Sequence, residues 1–337
     1  MKEYLKALKK EIIRDKYLIL IDLFLISLFL IPVNFYIEIG GGMKSIGDRV
    51  QVENGYKEKG SLNIVYVKEL DGTIATYLLS FIIPDWEATK ITNYQYNNEE
   101  TIKDLTTRAK LDLKETSNNA IKYAYEEANK ECSVKSEKLI VYATYNDYKT
   151  KLKVGDQIIK VDNINTNNID DIKSYLNTKK ENDIVKIEYK RNNKINVLNN
   201  KIYRNNKTNT NILGISIVKD ITYNTNPKVK IKFKKNEEGP SGGLLTALKI
   251  YNSLIKEDIT KGKVIAATGT LEPDGTIGEI GGIKYKVIGA KKADFFLVPE
   301  ENYQEAINVA KKKKLKVKII SVSTFKDALE KLNKELN

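Results

Sequence analysis

No histidine occurs anywhere in the 337 residues, and cysteine occurs once, at Cys132. The first absence removes the imidazole base of a Ser-His-Asp triad and excludes a Cys-His peptidase. With one cysteine there is no intrachain disulfide, and too few soft ligands remain for a structural zinc or a zinc-bound water. No G-x-x-x-x-G-K-[ST] stretch occurs either. The only Gly-Lys pair, Gly262-Lys263, is followed by Val264, so no ATP-driven motor is encoded. No cofactor or metal is expected.

What is abundant is lysine. The formal net charge is +13, and 41% of residues are hydrophobic, enough for ordinary cores in two domains or three small ones. The lysines are spread along every segment and interleaved with acids, so no nucleic-acid partner is expected. A basic envelope is at most a weak pointer to anionic lipid heads or wall polymers.

The first sixteen residues are rich in charge, and most of the charges are basic: Lys2, Lys6, Lys9, Lys10, Arg14 and Lys16. From Tyr17 the chain reads YLILIDLFLISLFLIPV and stays apolar to Ile37, long enough to cross a bilayer at about 1.5 Å per residue. A buried helix of a soluble protein is the alternative, which Asp22 would favour. No small-residue cleavage pattern follows, so the expectation is an uncleaved anchor. The positive-inside rule then places residues 1–16 in the cytoplasm and the chain beyond about residue 38 outside.

After Gly40-Gly41-Gly42 the pattern from Ile46 to Glu87 is strand-like, with Asp71-Gly72 as a hairpin turn and Ile74 to Ile83 as a strand. Thr106 to Lys130 alternates at helical spacing. Leu139 to Thr144 is a strand. It is followed by Leu152-Lys-Val-Gly-Asp-Gln-Ile-Ile-Lys-Val-Asp-Asn163, a short helix from Ile169 to Leu176, and strands at Ile184–Tyr189 and Ile195–Val197. That order, with its L-x-x-G-D-x-I-x-x-V pattern, resembles a PDZ domain over about residues 110–203. The resemblance implies capture of an extended peptide as an added strand. No clear Gly-Φ-Gly-Φ loop for a terminal carboxylate is found, and a β-module serving only as a spacer fits the same pattern.

Beyond two strands, Ile212–Val218 and Lys228–Phe233, comes Glu238-Gly-Pro-Ser-Gly-Gly-Leu-Leu245. A serine after Gly-Pro, before two glycines and an apolar helix, sits where a nucleophile is placed at a strand-to-helix junction with backbone N–H groups around it. A helix from Gly243 to Leu254, a strand at Lys263–Thr268, a turn at Pro273–Gly275 and further alternating elements to Leu332 make an α/β domain. With no imidazole, Ser241 needs another base. Carboxylates are too weak at neutral pH unless strongly shifted. A lysine serves if its pKa falls from about 10.4 toward 7, which costs roughly 4 kcal/mol and requires apolar burial.

The helix after Gly281-Gly282 offers such a lysine. At about 100° per residue, Ile283, Val287 and Ala290 define its inward face, and Lys286 lies roughly 60° from Ile283 while Lys284 sits at the margin. A lysine there either accepts protons or snorkels past the face into water; periodicity allows both. Two other serine-lysine pairs, Ser216/Lys219 and Ser323/Lys326, match S-x-x-K, but no S-D-N or K-T-G companion appears.

The motifs G-P-S-G-G at 239–243, T-G-T-L at 268–271 and I-G-G-I-K-Y-K at 280–286 resemble the proteolytic domain of Lon-type serine peptidases. The resemblance implies Ser241 as nucleophile, Lys286 as base and Thr268 as a hydrogen-bonding support for the lysine amine. Family members commonly have Ala-Gly after the serine where this chain has Gly242-Gly243. Backbone amides around Gly239 and Ser241 are the expected oxyanion donors. The whole order resembles the membrane-anchored PDZ plus Lon-like proteases of Gram-positive bacteria.

The expected fold is thus an α/β (α+β) Lon-type proteolytic domain, preceded by a β-rich segment and a PDZ-like domain, with one N-terminal transmembrane helix. Its parts are a cytoplasmic tail (1–16), an anchor (17–37), a β-rich extracytoplasmic segment (38–108), the PDZ-like domain (109–203) and the Lon-like domain (204–337). The resemblance implies an ATP-independent endopeptidase at the cell membrane acting on extracytoplasmic peptides or unfolded proteins, and domains of this kind can form rings of identical copies. A membrane-tethered peptide-binding scaffold without turnover is the rival.

Overall fold

The computed structural model describes residue 4 and residues 13–165, 169–234 and 237–337. Most of the expected basic tail therefore lies outside the described residues. The chain divides into two units, one of residues up to Gly41 with Val67–Tyr94, the other of Gly42–Tyr66 with Gln95–Asn337.

Helix α1 (Lys16–Leu28) opens the first unit, and none of its residues is buried. Thirteen residues span about 20 Å. Among the described residues no helix is long and apolar enough to cross a membrane. The apolar run expected as one helix to residue 37 changes conformation at Pro32, which lacks an N–H and biases the residue before it toward extended backbone. Strands β1 (Pro32–Ser45), β2 (Val50–Val52) and β3 (Ser61–Thr73) follow. Two local expectations need correction. Asp71-Gly72 makes no hairpin turn, because β3 runs through it with Gly72 packed on β1; a side chain there would meet the Phe35 carbonyl oxygen at 2.5 Å. Ile74 to Ile83 is no strand but helix α2 (Ile74–Ser80) and a turn. Thr73 and Thr76 bond each other's backbone amides as a capping box, and that local signal overrides the β-branched composition. Strand β4 (Glu87–Lys90) pairs antiparallel with β1, Phe35 opposite Lys90.

The second unit begins its helices with α3 (Ile102–Glu127), also closed by a capping box, Thr101 with Asp104. Then come β5 (Glu131–Thr144), β6 (Gln157–Val161), the short β7 (Ile164–Asn165), α4 (Ile169–Asn177), β8 (Ile184–Arg191) and β9 (Lys194–Lys201). A small pair, β10 (Tyr203–Asn205) and β11 (Thr210–Ile212), leads to β12 (Ile215–Asn226). These strands form a sheet in the order β12-β5-β6-β8-β9, with β7 on β6. Its inner face, with Val141, Ile158 and Ile187, packs on Ile172 and Leu176 of α4. The expected Gly155-Asp156 turn is present, and buried Asp156 takes two bonds from Arg191 at 2.7 and 2.6 Å.

The α/β layer is built from β13 (Val229–Ile231), α5 (Gly243–Leu254), β14 (Val264–Ala267), α6 (Ile283–Gly289), β15 (Phe295–Pro299), α7 (Glu300–Lys312), β16 (Lys318–Val322) and α8 (Phe325–Leu336). Strands β3, β14, β15 and β16 run parallel, with Leu62 opposite Ile265 and Phe296 opposite Ile319. Strand residues alternate between two faces, as the period of two demands. Ile265, Leu297 and Ile320 pack with α5, α8 and the Ala120–Tyr125 end of α3, while Ala266, Phe296 and Ile319 pack with α6 and α7. β13 pairs with β2. Residues 50–52 and 61–64 complete the α/β layer, and the PDZ-like strands are inserted within it.

Arg108 and Glu100 form an ion pair in which both side chains are almost wholly buried. Tyr96 and Tyr142 lie over the guanidinium at 4.4 and 5.5 Å, and Glu100 also accepts from the Tyr96 amide at 2.8 Å. Removing one partner strands the other's charge in a low dielectric, so Arg108→Ala is expected to lower unfolding stability by about 3–5 kcal/mol. Chemical denaturation measures this, and Glu100→Gln in the Arg108→Ala background should recover part of the loss.

Candidate functional site

Ser241 stands at the head of α5, and its carbonyl oxygen is held from two sides. The Gly269 amide donates to it at 2.9 Å and the Thr268 hydroxyl at 3.1 Å. Gly242 and Gly269 form a parallel bridge, and the Leu244 amide returns a bond to the Gly269 carbonyl at 3.2 Å. The Ser241 turn is therefore stitched to the chain leaving β14. Thr268 is 0% exposed, and its amide bonds the Leu297 carbonyl of β15 at 3.0 Å. Because its hydroxyl hydrogen is committed to Ser241, the oxygen can only accept from a further partner, which must be a donor such as an amine.

Lys286 lies on α6 and is 4% exposed, so the wheel's choice between burial and snorkelling falls to burial. Its neighbours Tyr285 and Val287 are buried with it. The helix starts at Gly282, whose φ of +65° is left-handed and suits glycine. The segment before it is fixed by Asn302, a residue the sequence did not single out. Buried Asn302 accepts from the Ile280 amide at 2.9 Å and donates to the Ile280 carbonyl at 3.1 Å.

The Gly239 amide donates to the Ala109 carbonyl of α3 at 3.1 Å, and Pro240 has no N–H to offer. The rival serine-lysine pairs lead elsewhere: Lys219 pairs with Glu137 at 2.9 Å, Ser323 bonds Asp327, and Lys326 is exposed.

Residues 225–334, which include Ser241, Thr268 and Lys286, match the family model of the Lon protease (S16) C-terminal proteolytic domain. Over this stretch the chain is similar to the proteolytic domain of Lon-type serine peptidases. Residues 147–202 match the PDZ domain model. Among curated proteins, the Lon protease of Campylobacter jejuni is 35% identical over 97 residues, which are 28% of this chain and 12% of that protein. The Lon protease of Clostridium beijerinckii is also 35% identical over 97 residues, with the same coverage. The matched stretch thus spans about one eighth of these relatives' length. Among solved structures, the PDZ domain of an SdrC-like protein from Listeria monocytogenes is 28% identical with a TM-score of 0.23, covering 24% of this chain and 86% of that one. That of an SdrC-like protein from Listeria innocua has the same identity and score, covering 24% and 92%.

In the PDZ module the sequence showed no Gly-Φ-Gly-Φ loop. The structure places Leu213-Gly214-Ile215 at the start of β12, the last strand of its sheet, with Gly214 at φ +75°. The Asn211 side chain ties this corner to the end of α4 through the Leu176 carbonyl at 3.0 Å.

Helix α3 forms one wall of the Ser241 turn. Gly243 lies against Thr116, whose hydroxyl accepts from the Leu271 amide at 2.8 Å. Asp112 and Glu115 share this stretch of α3. Burial pushes the Asp112 carboxyl above its usual range; the Tyr142 hydroxyl and the Arg108 guanidinium oppose the rise, and the Glu272 charge adds to it. Burial also raises Glu115, with the charges of Asp112 and Glu272 adding.

Two measurements test this wall. A β-carbon on Gly243 would meet Thr116 Oγ1 at 2.1 Å and the Leu271 backbone nitrogen at 2.8 Å, whereas one on Gly242 meets only the flexible tip of Ile64 at 3.1 Å. Gly243→Ala should therefore lower peptidase kcat/KM by roughly tenfold or more, and Gly242→Ala by much less, since displaced catalytic geometry is costly. The carboxylates predict a pH effect. A raised folded pKa favours the fold fully below the unfolded value of about 4, and this contribution is lost as pH climbs through the raised value. The Tm of Asp112→Asn should match the parent's near pH 4 and exceed it increasingly toward pH 7, as thermal melts at both ends will show.

Proposed function

We propose that the chain is a membrane-anchored, ATP-independent serine endopeptidase whose Ser241–Lys286 dyad cleaves extracytoplasmic peptides or unfolded proteins. The observation that carries it is the burial of Lys286 within the domain that fixes Ser241 through Thr268. An amine acts as a base only in its neutral form, and apolar surroundings favour that form. Neutral Lys286 takes the Ser241 hydroxyl proton as Oγ attacks the scissile carbonyl. The tetrahedral oxyanion receives the Ser241 amide and the positive end of α5. Lysine returns its proton to the departing amine, leaving an acyl-enzyme. Water, deprotonated by the same amine, then releases the acid and restores Ser241.

Supply of substrate is assigned to the PDZ module. An extended peptide adding to the outer edge of β12 would be paired by main-chain bonds, with Leu213-Gly214-Ile215 at one end of the row. The unburied apolar helix α1 supports the anchor, and the basic residues before it support a cytoplasmic tail with the catalytic part outside.

Labelling with a fluorophosphonate acylating probe tests the dyad. Ser241→Ala and Lys286→Ala should each abolish labelling and peptide cleavage, a loss of about 10³-fold or more, while Lys284→Ala should leave both within about twofold. Cleavage that survives Ser241→Ala overturns the proposal. Peptide binding by a parent protein that is neither labelled nor active favours the tethered scaffold.

A further inference from the structure

From Gly72 to Pro84 the chain carries no charge. This stretch folds as the end of β3, helix α2 and a tight turn in which the Phe81 and Ile82 amides bond the Leu78 and Leu79 carbonyls at 3.2 and 3.0 Å. At its tip Leu78, Phe81 and Ile82 are 50%, 72% and 75% exposed. Soluble surfaces seldom keep such large side chains together in water. The base of the projection is firmly built. Thr73 and Thr76 cap α2, the Tyr77 ring lies 4.6 Å from Phe35 and 5.2 Å from Phe81, and the Ile74 amide bonds the Ile31 carbonyl at 3.0 Å. That last bond fixes its position. Ile31 closes the segment just after α1, so the tip and the unburied apolar helix leave the β1–β3 ribbon at the same end within one unit.

We propose that Leu78, Phe81 and Ile82 form a second membrane contact, entering the interfacial layer of a phospholipid bilayer beside α1. This rests on the membrane anchoring proposed above and adds a site to it. Lipid is the occupant that fits both pieces. Large apolar side chains on every side of α1 are exposed, which a bilayer covers all round and a docking protein would cover on one side only. The tip offers no charge with which a protein partner could set register. Seven residues of α2 rise about 10 Å, a depth that suits the headgroup–acyl boundary. Tyr77 and Trp86, amphipathic rings on either side of the tip, are the residue types enriched at that level.

Trp86 is the only tryptophan, so depth can be read one residue at a time. In full-length protein carrying Trp86→Phe, a single tryptophan is placed by Phe81→Trp, by Ile82→Trp, or by Phe24→Trp as the α1 probe. Each is reconstituted into phosphatidylcholine–phosphatidylglycerol vesicles with or without bromine on the acyl chains, and circular dichroism confirms the fold. The proposal expects both tip probes to lose about half or more of their emission to brominated lipid, with a blue-shifted maximum. Quenching of Phe24→Trp without either tip probe overturns the second contact and leaves the anchor standing. Quenching at the tip alone supports the contact and removes the anchor. No quenching at any position overturns both.

Discussion

The carbonyl of Ser241 accepts two hydrogen bonds, from the Gly269 amide and the Thr268 hydroxyl, and the site's geometry depends on that double grip. Thr268 is simultaneously bonded to β15, so the Ser241 turn inherits the rigidity of the parallel sheet. Each donor lies on the chain that leaves β14. A change in β14 register would therefore move both at once and release the serine. Sites carried on regular elements hold their geometry more closely than sites on free loops.

Glycine enters this arrangement as an absence of bulk. At Gly243 the backbone of α5 meets Thr116 and Leu271 at a separation that leaves no room for a β-carbon. Helix α3 can thus lie against the Ser241 turn while its other contacts reach the PDZ-like sheet, where Lys114 pairs with Asp220 of β12 at 2.6 Å. One helix touches both modules. That makes α3 the element on which any influence of bound peptide over the serine would be sought, although contact alone is no measure of coupling.

Much of this was legible in the sequence, for identifiable reasons. The Gly-Pro-Ser-Gly-Gly stretch announces a permissive backbone, and the helix over Gly243–Leu254 follows its apolar periodicity to the residue. Lys286 stood out because a charged residue fell on an apolar face. Other features had no local signature. Ile74 to Ile83 has strand-like composition, and only the threonine pair at its start marks a helix. Asn302, in the first turn of a surface helix, looks like any solvated asparagine until it is seen bonding both backbone groups of Ile280. The pairing of Ser61–Ile64 with Val264–Ala267 joins segments about two hundred residues apart, and no window of periodicity can register it.

That pairing also sets an order of events during synthesis. Strands β2 and β3 leave the ribosome early, but their partners β13 and β14 are translated only after the whole PDZ module. A module with its own core can close as soon as it emerges. In the interval β3 has an open edge, rich in β-branched and apolar residues, that must be kept from other chains. The layer that holds Ser241 can form only after β14, β15 and β16 have followed the PDZ-like strands out of the ribosome, so Ser241 is not fixed in place while those strands are still being made.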